Sequence, residues 1–354
     1  MAPFTLQDDA VSLVSLAANR RPDRMTEDKP TRIVYLFGAG ATHAELQNIE
    51  PALVERGQGL LVRDMSSRVI DRARKGKKYL SDVSTVSGTS GSLNIELLIS
   101  LIENSKIHGW EYKTRRLKTL VQEDIEKILS ASRTRRFYLH KALLELHNHA
   151  ATQAREKLTG LISLNYDDVL DAAYEQYYGV PRYCFSLEPD PPTTGAIPLL
   201  KLHGSFNWKS KKIRGRKKAV EIIPLGTTKS YIHPPYGCIW NQALETLIGC
   251  HTLRVIGCSL SQNDVHLIDL LFKAHLERGS PFEIEIIASQ RDGMAIRQNY
   301  GFFPDIKALL ELKDNLIPEA DPPNPFRTWL KYKGLAMLTA KEVGGTRYLK
   351  KIVG

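Results

Sequence analysis

The chain has 354 residues, 42% hydrophobic and 25% charged, the proportions of a soluble globular protein able to bury a sizeable core. No run of 18 apolar residues occurs, which argues against a membrane span, and the first 30 residues lack the apolar segment of a secretory leader. The net charge of +10 favours an anionic ligand or partner (a dinucleotide, a nucleic acid, an acidic protein face), although solubility accounts for it equally well.

In chain order, residues 1–30 read as a polar lead-in with one amphipathic stretch, Val11 to Ala18. TRIVYLFGAGA follows. Its run Ile33–Phe37 is continuously apolar, β-branched and aromatic, and ends in glycine, the pattern of a buried parallel strand. A helix is expected over 41–56. From about 60 to 157 apolar residues recur at three- and four-residue spacing over 60–74, 93–104, 115–130 and 136–155, which predicts a helical insertion with a loop at 81–92. Strand patterns return at 158–164, 182–186, 197–202, 220–225, 252–257 and 282–289, with helices at 167–177, 240–250 and 263–277. Strands alternating with helices imply an α/β fold with a Rossmann-like parallel sheet. The expected organisation is a lead-in at 1–30, a nucleotide-binding domain at 31–300 carrying the insertion, and a helical extension at 301–354. The four cysteines, Cys184, Cys238, Cys250 and Cys258, lack the two-residue spacing of a zinc knuckle, so neither a structural zinc nor a disulfide framework is expected, and a reducing cytoplasm is the default.

Four strand ends hold residues suited to chemistry. Gly38-Ala39-Gly40-Ala41-Thr42 lies between a strand and a helix, where glycine lets a pyrophosphate approach and the helix start donates N–H groups. The third small residue of a full dinucleotide fingerprint is replaced by His43, and a GxG alone also occurs as a mere tight turn. Asn165-Tyr166-Asp167-Asp168 follows the second strand; Asn165 and Asp167 suit a ribose or a water, or an aspartate simply caps the next helix. Leu202-His203-Gly204-Ser205 puts a histidine at a strand end, as a general base or as a satisfied structural side chain. Gly257-Cys258-Ser259-Leu260 closes a fourth strand, with capping residues at 261–264 behind it.

Taken in order, FGAGA, NYDD, KLHGS and IGCSLS resemble the sirtuin (SIR2) superfamily, and more narrowly its SIR2-like NAD hydrolase branch of prokaryotic antiviral defence. The likeness spans residues 31–275, and Asn94-Ile95-Glu96 resembles a further element of that branch. It implies that NAD is the substrate. Gly38, Ala39, Gly40 and Thr42 would hold the diphosphate side, with Tyr166 beside them. Gly257 and Ser259 would touch the adenosine half. Asn165 would orient the ribose or attacking water, Asp167 would hold the nicotinamide end, and His203 would be the base. Water as attacker yields ADP-ribose; an acyl-lysine as attacker yields deacylation. Protein-deacylating sirtuins carry a four-cysteine zinc module that this chain lacks, so hydrolysis without a metal is the expectation. The resemblance also implies a toxic effector of antiphage defence, held in check as a homo-oligomer or by a partner, with a HerA-type ATPase as first guess. A deacylase, a silent NAD or ADP-ribose sensor and a nucleic-acid-binding subunit are the alternatives.

The basic run KSKKIRGRKK at 209–218, next to Phe206 and Trp208, could follow a phosphate backbone while the rings stack on bases; a solvated loop or partner contact is the plainer reading. His147-Asn148-His149 has the look of a nuclease string but falls in a helical pattern, where residues two apart diverge, and is expected on the helix surface.

Overall fold

The computed structural model describes residues 29–75, 94–133, 137–185, 197–208, 235–260, 264–279, 283–288, 296 and 324–353. Most of the lead-in, the loop at 81–92, the expected strand at 220–225 and the basic run at 209–218 lie outside them.

Five strands form one sheet: β1 (Thr31–Phe37), β2 (Glu156–Ser163), β3 (Leu199–Lys201), β4 (Thr252–Ile256) and β5 (Glu283–Ile287). They stand in the order β3-β2-β1-β4-β5, every pair parallel. The α/β Rossmann-like sheet read from the sequence is therefore present. After β1 the chain builds outward to β2 and β3, then crosses back to place β4 on the other side of β1. Ligands of open α/β sheets collect where the order reverses, at the carboxyl ends of the strands, here β1 and β4.

Side chains alternate across β1. Ile33, Tyr35 and Phe37 face one layer, and Val34 and Leu36 the other. The first layer holds α6 (Leu139–Asn148), α8 (Val169–Tyr178) and α11 (Pro325–Met337), with short helices α12 (Ala340–Gly345) and α13 (Lys350–Val353) beyond. The second holds α9 (Tyr236–Gly249) and α10 (Val265–Arg278). A third core belongs to the helical insertion, α3 (Val62–Arg74), α4 (Ile95–Ser105) and α5 (Trp110–Arg133). It closes over Leu46 of α1 (Ala39–Ile49) and over Tyr166 and Val169. The insertion thus roofs the carboxyl end of the sheet.

Several boundaries differ from the sequence reading. The helix expected over 41–56 divides into α1 and α2 (Pro51–Glu55), because Pro51 has no N–H and turns Glu50 out of the helical region at φ −143°. The helix expected over 136–155 stops at Asn148. His149 is extended there and its Nδ1 accepts from Ala151 N at 3.4 Å, starting α7 (Ala150–Gln153). Among the described residues of the strand expected at 182–186, pairing is limited to one bridge, Arg182 to Pro198. His147 is not on the surface. It is 2% exposed because α6 packs against the sheet, and its Nε2 lies 2.7 Å from the Tyr35 hydroxyl.

That hydroxyl borders a buried charge network at the centre of the sheet. Arg254 of β4 grips both oxygens of Glu156 at 2.7 Å, donates to Glu285, and reaches Tyr35 Oη at 3.0 Å. Lys333 of α11 adds a bond to Glu156 at 2.6 Å, and the Arg254 guanidinium lies 5.5 Å from the Trp329 ring centre. The network fastens α11 to the strands. Asn324, which caps α11 by accepting from Arg327 N, also donates to the Ala44 carbonyl of α1 at 2.9 Å. No helix among the described residues is long and apolar enough to cross a membrane.

Candidate functional site

A cavity of about 340 Å³ opens at the reversal point between β1 and β4. The turn after β1, the turn after β2 and the turn after β4 form its floor, and the insertion forms its roof. Gly38, Ala39, Gly40, Thr42, Asn165, Tyr166, Asp167, Gly257 and Ser259 all line it. Nine of the ten residues singled out in the sequence therefore line one cavity. His203, the tenth, does not line the cavity.

The β1 and β4 turns are held together by their own backbones. Gly38 N donates to Ile256 O at 3.0 Å, and Gly40 N to Gly257 O at 2.8 Å. A Cβ on Gly257 would stand 2.1 Å from Ala41 N, and Gly257 also has φ +63°, so both contact and conformation require glycine there. A Cβ on Gly40 would reach Gly257 Cα at 2.7 Å. The glycines are thus explained first by the approach of one turn to the other. Ala39, at the first position of α1, has no intrahelical acceptor for its N–H, and the positive end of the helix faces the cavity there.

Asn165 is fixed by two donations from its amide nitrogen, to Gly38 O at 3.0 Å and to Thr42 Oγ1 at 3.1 Å. A backbone carbonyl only accepts, so the nitrogen must face it and the amide orientation is determined. Both amide hydrogens are committed. Asn165 therefore meets a ligand through Oδ1, as a hydrogen-bond acceptor. Thr42 passes the chain on, donating to Asp167 Oδ2 at 3.0 Å, while Asp167 Oδ1 accepts from Val169 N at 3.0 Å. Asp167 thus accepts the first N–H of α8 and lines the cavity at once. Burial raises its carboxyl above the usual range, an effect opposed chiefly by the charge of Lys201.

Lys201 is 1% exposed at the end of β3. It donates to the Asp167 carbonyl oxygen and pairs with Asp171 Oδ2 at 2.9 Å. Asp171 also accepts from Asn207 Nδ2 at 3.1 Å and from the Tyr183 hydroxyl. This buried ion pair sets the start of α8, and with it Asp167. On the same loop, Phe206 N and Ser205 Oγ both donate to Tyr166 O, at 2.9 and 3.2 Å. The Phe206 ring lies 5.7 Å from Tyr166, and Trp208 meets Phe185 edge-on at 4.9 Å. Both candidate base-stacking rings therefore pack on protein aromatics.

His203 is 1% exposed and sits behind the wall, its ring 6.2 Å from that of Tyr166. Its Nε2 lies 3.6 Å from Asp264 Oδ2. Asp264 does line the cavity, and its Oδ1 caps α10 by accepting from Leu267 N at 3.4 Å. The sequence reading gave Asp264 only the capping role. Glu96, in the first turn of α4 behind the Asn94 cap, also reaches the cavity. Burial pushes the Cys258 thiol up to about 12, which favours the protonated form.

Residues 60–63 were read only as the start of a helix, yet they form one wall. His43, the residue in place of the third small residue of the fingerprint, accepts from Leu60 N at 3.2 Å and holds that wall to α1. Burial lowers the His43 pKa, which keeps the ring neutral for this acceptor role. Arg68 bonds Gly57 O at 2.6 Å and Gly59 O at 2.8 Å while pairing with Asp124 at 2.8 Å, anchoring the wall to α5. Among the described residues, no group of three or more His, Cys, Asp or Glu side chains is placed to hold a metal ion.

Residues 159–299 match the SIR2-like domain family. That span takes in NYDD, KLHGS and IGCSLS and begins beyond FGAGA. The match supports the sirtuin superfamily. No curated protein matches the chain. Solved structures with a similar course include one described as the structural basis for the mechanism and regulation of Sir2 enzymes, at 13% identity over 79% of this chain and 93% of the other, TM-score 0.32. A Sir2 homologue in complex with NAD aligns at 14% identity over 76% of this chain and 89% of the other, TM-score 0.32. A mutant Sir2 homologue in complex with ADP-ribose aligns at 14% identity over 87% and 94%, TM-score 0.35.

Proposed function

We propose that this chain is an NAD glycohydrolase, releasing nicotinamide and ADP-ribose. The observation that carries the reading is Asn165. Its amide is locked by Gly38 and Thr42, so that Oδ1 acts as a fixed acceptor in a cavity at the sheet's reversal point. The cavity lies within the ~300–1,000 Å³ typical of small-molecule sites. Its chemistry suits a dinucleotide. Ala39 N–H and the positive end of α1 face the diphosphate, and Arg63, with its side chain 81% exposed at the rim, adds a cation. Leu60, Val62, Met65 and Ile125 add apolar lining on the side of the insertion.

In this reading the bond from ribose C1′ to the nicotinamide nitrogen breaks, and its electron pair leaves with the ring. The ribose becomes oxocarbenium-like. Asn165 Oδ1 accepts from the attacking water and aims its oxygen at C1′, while Asp167 secures the nicotinamide side. The His203–Asp264 pair supplies the acid–base group. The wider reading is an NAD-depleting effector of antiphage defence, acting as a homo-oligomer with a HerA-type ATPase as partner. It rests on the likeness of FGAGA, NYDD, KLHGS and IGCSLS to that branch.

The test is nicotinamide release from NAD, followed by chromatography, for wild type and Asn165→Ala, alone and with the ATPase and nucleic acid added. Release by wild type and its loss in the variant is the expected result. A wild type that binds ADP-ribose calorimetrically yet releases no nicotinamide under any of these conditions would overturn hydrolysis in favour of a sensor.

A further inference from the structure

The expected base and the cavity are separated by a wall. His203 is 1% exposed and absent from the cavity lining, whereas Asp264, 3.6 Å from its Nε2, is part of that lining. We propose that Asp264 is the catalytic residue that accepts the proton, and that His203 is a positioning residue acting through it from behind. This rests on the hydrolase reading and deepens it.

The two oxygens of Asp264 have different tasks. Oδ1 accepts from Leu267 N at 3.4 Å and ties the carboxylate to the first turn of α10. Oδ2 is the oxygen nearest His203. The side chain is thus tethered at one end by a helix cap, with an imidazole standing 3.6 Å from the other oxygen. Leu260, just before this segment, is in the left-handed region at φ 47° without being glycine. Such a conformation costs about 1 kcal/mol or more and persists where surrounding structure imposes it. Gly257, Ser259, Leu260 and Asp264 all line the one cavity.

The proton path balances. Water attacks C1′ as the C1′–N bond breaks and neutral nicotinamide departs. The proton lost by the water goes to the Asp264 carboxylate. It then passes to His203 Nε2 or to solvent, which returns Asp264 to the carboxylate. A 3.6 Å separation becomes a hydrogen bond with a small side-chain rotation, and such contacts commonly tighten only when substrate is bound.

The experiment compares Asp264→Asn, Asp264→Ser, His203→Gln and the double variant Asp264→Asn/His203→Gln. Circular dichroism and melting report folding, calorimetry reports ADP-ribose affinity, and nicotinamide release gives kcat and KM. Asparagine and serine both retain a helix cap, so loss of the fold is not the expected outcome. Asp264→Asn should lower kcat at least ~100-fold, the usual minimum for a general base, with ADP-ribose affinity within about threefold of wild type. Added formate, a small carboxylate, should restore part of kcat in Asp264→Ser and none in His203→Gln. The double variant should be no slower than Asp264→Asn, because His203 acts only through Asp264. Near-normal kcat in Asp264→Asn, no formate rescue, or multiplied losses in the double variant would each overturn the assignment while leaving the hydrolase intact. A wild type without nicotinamide release removes the reaction itself, a failure distinct from these.

Discussion

The sheet buries two polar regions, and they resolve the cost of burial in opposite ways. Around Arg254, two cations meet two carboxylates, Lys333 and Arg254 against Glu156 and Glu285, with Tyr35 and Trp329 filling the remaining faces. Around Asn165, hydrogen bonds run in a chain through Thr42 to Asp167, and the cavity takes the place of a further partner. The first region satisfies its charges internally. The second keeps an acceptor and a carboxylate turned toward a space. The difference teaches where stability and chemistry reside: a site needs groups that the fold orients without fully satisfying.

Breaking each region should therefore fail differently. Arg254→Ala leaves Glu156 and Glu285 buried with only Lys333 for company, and removing one partner of such a pair costs about 3–5 kcal/mol. A drop of several degrees in melting temperature is expected, with kcat per folded molecule unchanged; calorimetry and nicotinamide release on the same sample check both. Asn165→Ala should do the reverse, reducing kcat ~100-fold or more while the melting temperature moves little.

The pH dependence sharpens the contrast. Burial pushes the Glu156 carboxyl up, but the bonds and charge of Arg254 outweigh it and bring it down to about 2 from 4.5. Burial first, and Arg254 second, push His147 down to about 3 from 6.5. Both folded values lie below the unfolded ones, so the stability they contribute is present at neutral pH and is lost on acidification, between 6.5 and about 2. Asp167 has the opposite sign. Its folded carboxyl lies above the ordinary 3.8, so it favours the native state at low pH and disfavours it as pH rises through the raised value. Asp167→Asn should then melt at or above the wild-type temperature at pH 7 and lose that advantage near pH 4, while its activity falls. A lower melting temperature at pH 7 than at pH 4, relative to wild type, would contradict the assignment of burial as the dominant cause. The smallest effect belongs to Tyr35→Phe, which removes the hydroxyl 2.7 Å from His147 Nε2 and 3.0 Å from Arg254. An unsatisfied buried group costs about 1–3 kcal/mol. Its melting shift should be less than that of Arg254→Ala, with no change in kcat.

Much of this is legible in the sequence. Ile33–Phe37 has no charged residue and lies buried, so its pattern indicates a central strand. The turns after β1, β2 and β4 converge because parallel strands end on one side, a rule that needs no tertiary detail. What stayed hidden depends on contacts between distant segments. Leu60–Arg63 has only a helix-start pattern, and becomes a wall because His43 and Arg68 hold it there. His147 looked like surface because periodicity gives a helix its face but not its neighbour. Asp264 looked like a cap, and is one, yet its second oxygen faces His203. One signal could have been used. Lys201 and Arg254 each interrupt an apolar strand, and a cation in such a place requires a buried anion, here Asp171 and Glu156.

The docking of α11 has a temporal consequence. Asn324 and the Ala44 carbonyl that it binds are 280 positions apart. A ribosome adding about 5–20 residues per second separates their synthesis by roughly 15–60 s. Through that interval the layer of β1 holding Tyr35 and Phe37 waits for Phe326, Trp329 and Leu330. Every residue of the cavity wall has already been made by then, since Leu267 is its last member. The nascent chain thus acquires its cavity residues before the helix that completes the adjoining core, and chaperone occupancy during translation should peak in that window.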